Sequence, residues 1–216
     1  MPNLKQEMDL YLQELLKLQF KASKGISHNV TKGTLREKFI KQTVLGQYPK
    51  LLLKSGILID EEWQSSQVDF IWLYDNARVG NFNLYEINDC KMFMEIKSKA
   101  THAEMLQLNQ VAEEIHRRAK VQNQNNRIIV GMFCYSTDAL SKTVLKKFGF
   151  KYDKDLQGFE SYNSQKDIFK EIDFIISLNI SDDGNSSPYM VARDLYGNCT
   201  LYVDNPVIQY FLNYFK

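Results

Sequence analysis

Asp69, Glu95 and Lys97 are the residues whose types and spacing can do chemistry. Each stands in a run that is otherwise apolar: Asp69 in SQVDFIWLYD (66–75), Glu95 and Lys97 in CKMFMEIKS (90–98). An uncompensated charge taken out of water costs on the order of several kcal/mol, so two acids and an amine in such company need a reason. Residues two apart in a strand share a face, which makes Glu95 and Lys97 project together while Met94 and Ile96 enter the opposite layer. If the two runs are neighbours in one sheet, the Asp69 carboxylate meets that of Glu95. Two carboxylates side by side persist only with a shared proton or a cation between them. Two readings compete: a structural ion pair of Glu95 with Lys97 at a solvated sheet edge, or a centre built to hold a metal.

The metal reading assigns every group a task. Mg²⁺, with Mn²⁺ as the alternative, prefers hard oxygen ligands and takes one or two carboxylates plus water and substrate phosphate oxygens. Asp69 and Glu95 supply the carboxylates, and the backbone carbonyl of Ile96 is a further ligand at the same strand edge. Lys97 would orient a water nucleophile and offset charge accumulating on phosphorus. Glu37, on a helix facing the sheet, is a candidate supporting or second-metal carboxylate. Gln67, two residues before Asp69, is a candidate hydrogen-bond donor to the nucleophile.

Positioning these groups requires a sheet with helices on it. Apolar residues recur at helical spacing from Leu4 to Phe20, followed by a polar, glycine-bearing loop, and a second helix is expected from Thr34 to about Leu45 with Thr31 or Thr34 as cap. Strands are expected at 51–60, 66–75 and 90–98. The second carries Val68, Phe70, Trp72 and Tyr74 on one face and Ile71 and Leu73 on the other, as in a strand covered on both sides. A helix over 102–121 and a strand over 127–136 complete a parallel crossover. A short helix at 138–148, a strand at 173–178, a hairpin turning near 196–198 and a closing helix with Pro206 at its first position follow.

Composition narrows the class. At 216 residues, with 44% hydrophobic and 25% charged residues and four prolines, the chain is expected to form one folded α/β domain. No window is apolar over the length of a membrane span, and no signal-peptide layout opens the sequence, so a cytoplasmic location without membrane contact is expected. Cys90, Cys134 and Cys199 are too dispersed for a disulfide or zinc framework and read as buried thiols. His28, His102 and His116 have no mutual spacing suited to zinc and read as surface or capping residues. No glycine-rich phosphate loop is present. The net charge of +1 hides alternation: residues 1–55 and 97–151 each carry 10 Lys/Arg against 4 Asp/Glu, while 56–96 carry 2 against 8 and 152–216 carry 5 against 10. Basic segments flanking an acidic one suit phosphate attraction around a metal-holding cluster. Lys99 and Thr101, after the second charged strand, read either as phosphate contacts or as a helix entrance. Arg117, Arg118 and Lys120 read as a match to the helix dipole rather than a phosphate face.

The order of a helix bearing Glu37, a strand, SSQVD, a strand and EIK resembles the PD-(D/E)xK restriction-like nucleases. More narrowly, KGTLREKF, YPKLLLKSGILIDEEWQSSQVDFIWLYD and MFMEIKSKAT are similar to the NucC-type effector nucleases of bacterial antiphage defence, over roughly residues 24–110. The resemblance implies a restriction-endonuclease-like mixed central sheet flanked by helices. It implies a single nuclease domain over 1–216, with an N-terminal helix in 1–23, a catalytic core in 24–135 and helix and hairpin elements in 136–216. It further implies Asp69, Glu95 and Lys97 as the catalytic trio, metal-dependent cleavage of double-stranded DNA, and homotrimers that bind a cyclic oligonucleotide and pair into hexamers. One departure concerns the activator: Leu51, Leu52 and Leu53 stand where the family pattern has an arginine serving the cyclic ligand. Ser66 also adjoins Gln67, and Ser65 keeps the family's gap of one. Two other functions stay open at this point, a catalytically inactive binding protein of the same fold and a restriction nuclease needing no nucleotide signal.

Overall fold

The computed structural model describes residues 4–78, 82–121, 127–137, 141–155, 158–161, 169–180, 187–194, 196–203 and 206–216. The helices are α1 (Leu4–Ser23), α2 (Asn29–Gln47), α3 (His102–Val121), α4 (Ser141–Lys147) and α5 (Val207–Leu212). The strands are β1 (Leu52–Ile59), β2 (Gln64–Leu73), β3 (Leu84–Glu86), β4 (Cys90–Lys97), β5 (Ile129–Cys134), β6 (Phe150–Asp153), β7 (Gly158–Ser161), β8 (Phe174–Ser177), β9 (Tyr189–Arg193) and β10 (Cys199–Val203). Eight strands form one sheet in the order β10-β9-β8-β5-β4-β2-β1-β3, and β6 and β7 pair separately. The sheet is mixed: β4, β5 and β8 run parallel, while β1, β2 and β4 are antiparallel neighbours.

Two apolar layers cover the sheet. On one face Phe93, Ile71, Leu73 and Met132 pack against Met105, Leu108, Ala112 and Ile115 of α3 and Val144 of α4. On the other, Phe70, Met92, Met94, Ile96 and Phe133 pack against Leu12, Leu16 and Phe20 of α1, Ile40 and Val44 of α2, and Phe211 of α5. From Met92 on, β4 alternates between the layers as expected, so Glu95 and Lys97 interrupt the α3 side beyond Phe93. The parallel β4-α3-β5 crossover is the expected one. Gly131 in β5 has a packing reason, because a Cβ there would run into the ring of Phe174 on β8.

Several expectations change. α2 starts at Asn29 rather than Thr34: His28 caps it, its Nδ1 accepting from the Thr31 N–H at 3.3 Å. The stretch read as loop therefore carries helix, with Gly33 inside it, because tertiary packing of Arg36, Ile40 and Val44 outweighs one glycine's cost of about 1 kcal/mol. The short strand β3 and the hairpin β6–β7 are additional elements too brief to declare themselves by periodicity. Residues 138–140, where a helix start was expected, lie outside the described residues, and the closing helix starts at Val207, with Pro206 one place earlier than expected, at the cap. Among the described residues no helix is long and apolar enough to cross a membrane. Cys90 and Cys134 are buried free thiols and Cys199 is half-buried.

Candidate active site

Asp69 owes its position to an irregularity in β2. The strand pairs with β1 at Lys54↔Ile71 and again at Gly56↔Val68, leaving Ser55 alone opposite both Asp69 and Phe70. That is a β-bulge, one extra residue that bends a strand and re-aims its side chains. It puts Val68 in the same layer as Ile71 and Leu73, correcting the expected grouping with Phe70 and Trp72. On its other flank, the antiparallel ladder of β2 with β4 ends at Phe70↔Met94. Asp69 and Glu95 thus lie where the two strands part.

The parting is filled by side chains. The Tyr135 N–H donates to the Lys97 carbonyl, so Lys97 directs its backbone toward β5 and the alternating Ile96 directs its own toward β2. There the Ile96 N–H donates to Asp69 Oδ2 at 2.9 Å, a side chain taking the place of a ladder bond. The Lys97 ammonium pairs with Glu95 Oε2 at 2.8 Å, and Asp69 is near enough for its charge to act on Glu95. A cavity of 330 Å³ opens beside Glu95 and Lys97 of β4, walled also by Ser66 and Gln67 of β2 and by Glu104 and Gln107 of α3.

The electrostatics follow from this crowding. Burial, and then the charge of Asp69, push Glu95 up to about 7 against the opposing pull of Lys97. Burial alone would lower Lys97, but the charge and hydrogen bond of Glu95, with Asp69 and Glu104 behind them, carry it above the usual lysine range. Glu37 on α2 is raised by burial and by Asp69, with Lys41 and Lys97 opposing. Lys41 is lowered by burial, with Glu37 and Asp69 opposing.

All five side chains named from the sequence therefore come to one region. Asp69, Glu95 and Lys97 form its centre, Gln67 stands on the cavity wall, and Glu37 is within electrostatic reach of Asp69 from the helix layer. Two carboxylates crowded together, Glu95 pushed up by burial and by the charge of Asp69, have the chemistry of a site that a divalent cation would take over. Asp69 and Glu95 would hold the ion, with the Ile96 carbonyl on the same side of β4. Among the described residues no set of three or more His, Cys, Asp or Glu side chains gathers as a metal cluster.

Four further residues support the site without having been singled out. Glu104 accepts from the Thr101 N–H at 2.8 Å while the Glu104 N–H donates to Thr101 Oγ1 at 3.2 Å, a capping box legible as T-x-x-E. Thr101 is thus a helix entrance. Arg36 is buried; its guanidinium lies 4.3 Å from the Phe20 ring centroid and donates to Ser23 Oγ at 2.8 Å and to Ser98 Oγ, tying α1 and α2 to the exit of β4. Lys41, four residues after Glu37, donates to Ser55 Oγ, and the Ser55 hydroxyl donates to the Asp69 carbonyl at 3.0 Å.

Other expectations resolve as structure. His116 is buried rather than surface or capping, its ring nitrogens 2.7 Å from Glu171 Oε2 and 2.7 Å from the Ile128 carbonyl. Arg118 pairs with Asp60 at 2.7 Å and with Glu114, which Arg117 also engages, so acids on the protein hold the basic end of α3. The side chain of Lys120 lies outside the described residues.

Fold and site together define a restriction-endonuclease-like architecture, an eight-stranded mixed sheet between helices. Among solved structures, NucC of P. aeruginosa ATCC27853 in its cAAA-bound form matches with a TM-score of 0.70 at 12% identity, over 100% of this chain and 90% of that one. NucC of E. coli MS115-1 matches with 0.68 at 13% identity in its cAAA-bound form, over 97% and 87% of the two chains. The apo form of the latter matches with 0.57 at 12% identity, over 97% and 88%. No family model and no curated protein matches the sequence.

Proposed function

We propose that this chain is a divalent-metal-dependent endonuclease that hydrolyses phosphodiester bonds in double-stranded DNA, with Mg²⁺ as the ion. The observation that carries the reading is the gap where β2 and β4 part, in which Asp69 accepts from the Ile96 N–H at 2.9 Å and Lys97 pairs with Glu95 at 2.8 Å. A divalent ion bound there supplies neutralisation of the carboxylates and activation of water. Asp69 and Glu95 hold the ion, and the Ile96 carbonyl adds a neutral oxygen. Lys97, steadied by Glu95, presents its ammonium to the cavity, where it orients the attacking water and stabilises charge on the phosphoryl oxygens. Gln67 stands on the wall across which the scissile strand would lie. Ser66, Gln67, Lys97, Glu104 and Gln107 give that wall a polar surface for a phosphate backbone.

The biological setting is read from the fold neighbours. Two of the matched NucC structures hold cAAA, and the chain superposes on the bound E. coli form at 0.68 against 0.57 for the apo form. The cAAA of those neighbours supports an effector that acts on binding a cyclic oligonucleotide; on this reading, taken with the sequence resemblance, it cleaves DNA in antiphage defence, in the cytoplasm, as a homo-oligomer, a trimer or paired trimers. Leu51, Leu52 and Leu53 remain the departure that bears on which nucleotide it takes. The test incubates plasmid with the protein, Mg²⁺ and a panel of cyclic di- and trinucleotides, beside Asp69→Ala. Cleavage that needs both metal and one of the nucleotides, and is absent in the variant, is the expected result. Cleavage that persists in Asp69→Ala or in EDTA overturns the assigned centre. Metal-dependent cleavage without any nucleotide favours an unregulated restriction nuclease, and binding without cleavage an inactive module of the same fold.

A further inference from the structure

The α2 side of Asp69 carries a second charge arrangement that the proposed reaction leaves unused. Glu37 and Lys41 are one turn apart on α2 and both feel the charge of Asp69. Lys41 is half-buried, and its position is held by a chain of two hydrogen bonds: the ammonium donates to Ser55 Oγ, and the Ser55 hydroxyl donates to the Asp69 carbonyl at 3.0 Å. Ser55 is the residue that faces the bulge in β2, so the chain runs from a helix cation to the backbone of the bulged aspartate. On the far side of Asp69, the Lys97 ammonium is already paired with Glu95 at 2.8 Å. Asp69 is therefore flanked in its electrostatics by two acids, Glu95, which Lys97 pairs, and Glu37, which feels Lys41 and Lys97.

We propose that Lys41 is a built-in cation for the Glu37–Asp69 side of the centre, so that the site takes one divalent ion, between Asp69 and Glu95, and Glu37 is not a ligand. A second ion on the α2 side would have to displace an ammonium anchored through Ser55, and Mg²⁺ or Mn²⁺ gives up its own water reluctantly for so little gain in oxygen ligands. Lys41 is a positioning residue in this scheme: through Ser55 it also holds the Asp69 backbone in the bulge. The inference rests on the metal-centre reading and adds the number of ions and the role of α2.

The test counts Mn²⁺ bound to the intact protein, without DNA, by isothermal titration and by Mn²⁺ electron paramagnetic resonance. The wild-type chain is expected to bind one ion, lost in Asp69→Asn. Glu37→Gln is expected to keep one ion with affinity within about threefold, as for a group that does not ligate. Lys41→Met, which removes the charge at similar length, is expected to admit a second ion, and Lys41→Arg to stay at one. Two ions in the wild type, both lost in Asp69→Asn, would overturn this inference and leave the metal centre standing. No ion in the wild type would overturn both. Should Lys41→Met fail to fold, the wild-type count and Glu37→Gln still decide, since loss of the ion in Glu37→Gln overturns the proposal.

Discussion

Glu95 pays in stability for being where it is. Its folded pKa of about 7 lies above the ordinary carboxylate value of 4.5, so the metal-free folded state holds a proton that the unfolded chain has released. The stability linked to that proton is complete below pH 4.5 and is lost as pH rises through 7. Glu95→Gln keeps the neutral shape at every pH. In EDTA at pH 8 the variant is expected to be more stable than the wild type by roughly 1–3 kcal/mol, the difference closing near pH 4.5. Calorimetric melts at the two pH values check this, and a less stable variant at pH 8 would show that Glu95 is a structural ion-pair partner after all. In the catalytic assay, Asp69→Asn and Lys97→Ala are each expected to cut plasmid cleavage at least about 100-fold while leaving DNA binding within a few-fold, since they remove charge stabilisation and not the polar wall.

At the scale of elements, the site depends on how β4 is held at its end. Arg36 of α2 joins Phe20 and Ser23 of α1 to Ser98 at the exit of β4, and Tyr135 stacks on Phe20 with ring centroids 4.6 Å apart while donating to the Arg36 carbonyl at 3.3 Å. Arg36→Ala is expected to cost about 2–3 kcal/mol in urea unfolding, because it strips hydrogen bonds from two hydroxyls and empties a buried volume. A loss below about 0.5 kcal/mol would mean that α1 and α2 are held by their apolar faces alone. Gly131→Ala, which sets a methyl against the Phe174 ring, is expected to cost about 1–3 kcal/mol by the same measurement. The period of the sequence marks these elements well where they are long: β1, β2, β4, β5 and α3 fall within a few residues of their expected bounds. It misses α2's first turn, since Gly33 and the polar residues around it read as loop until Arg36 and Ile40 are seen to be buried.

For the whole molecule, the alternating charge blocks survive as a surface property only in part. Arg117 and Arg118 are engaged by Glu114 and Asp60, so on the proposed nuclease reading phosphate attraction falls to other lysines and arginines of the basic segments. Binding to DNA is expected to weaken by roughly tenfold or more between 50 and 200 mM salt, as counterion release requires of a protein making several phosphate contacts. Fluorescence anisotropy with a duplex, in Ca²⁺ to suppress cleavage, reads the slope; a salt-independent affinity would count against the nuclease reading. The sheet runs unbroken through β8, β9 and β10, so the C-terminal elements extend the same body that carries the site.

The sequence alone determined that Asp69, Glu95 and Lys97 are charges in apolar strands and that Glu95 and Lys97 share a face, because strand alternation is a local rule. It also determined one α/β domain of strands with helices on them, since the periods of long elements are local as well; the mixed sheet was implied by the family resemblance. Only the tertiary structure decided that Asp69 sits on a bulge opposite Ser55, that β2 and β4 part beyond Phe70 and Met94, and that Lys41 reaches Asp69 through Ser55. Those facts depend on which residues of separate strands and helices come opposite one another, and register between distant segments is set by packing that no short window of sequence contains.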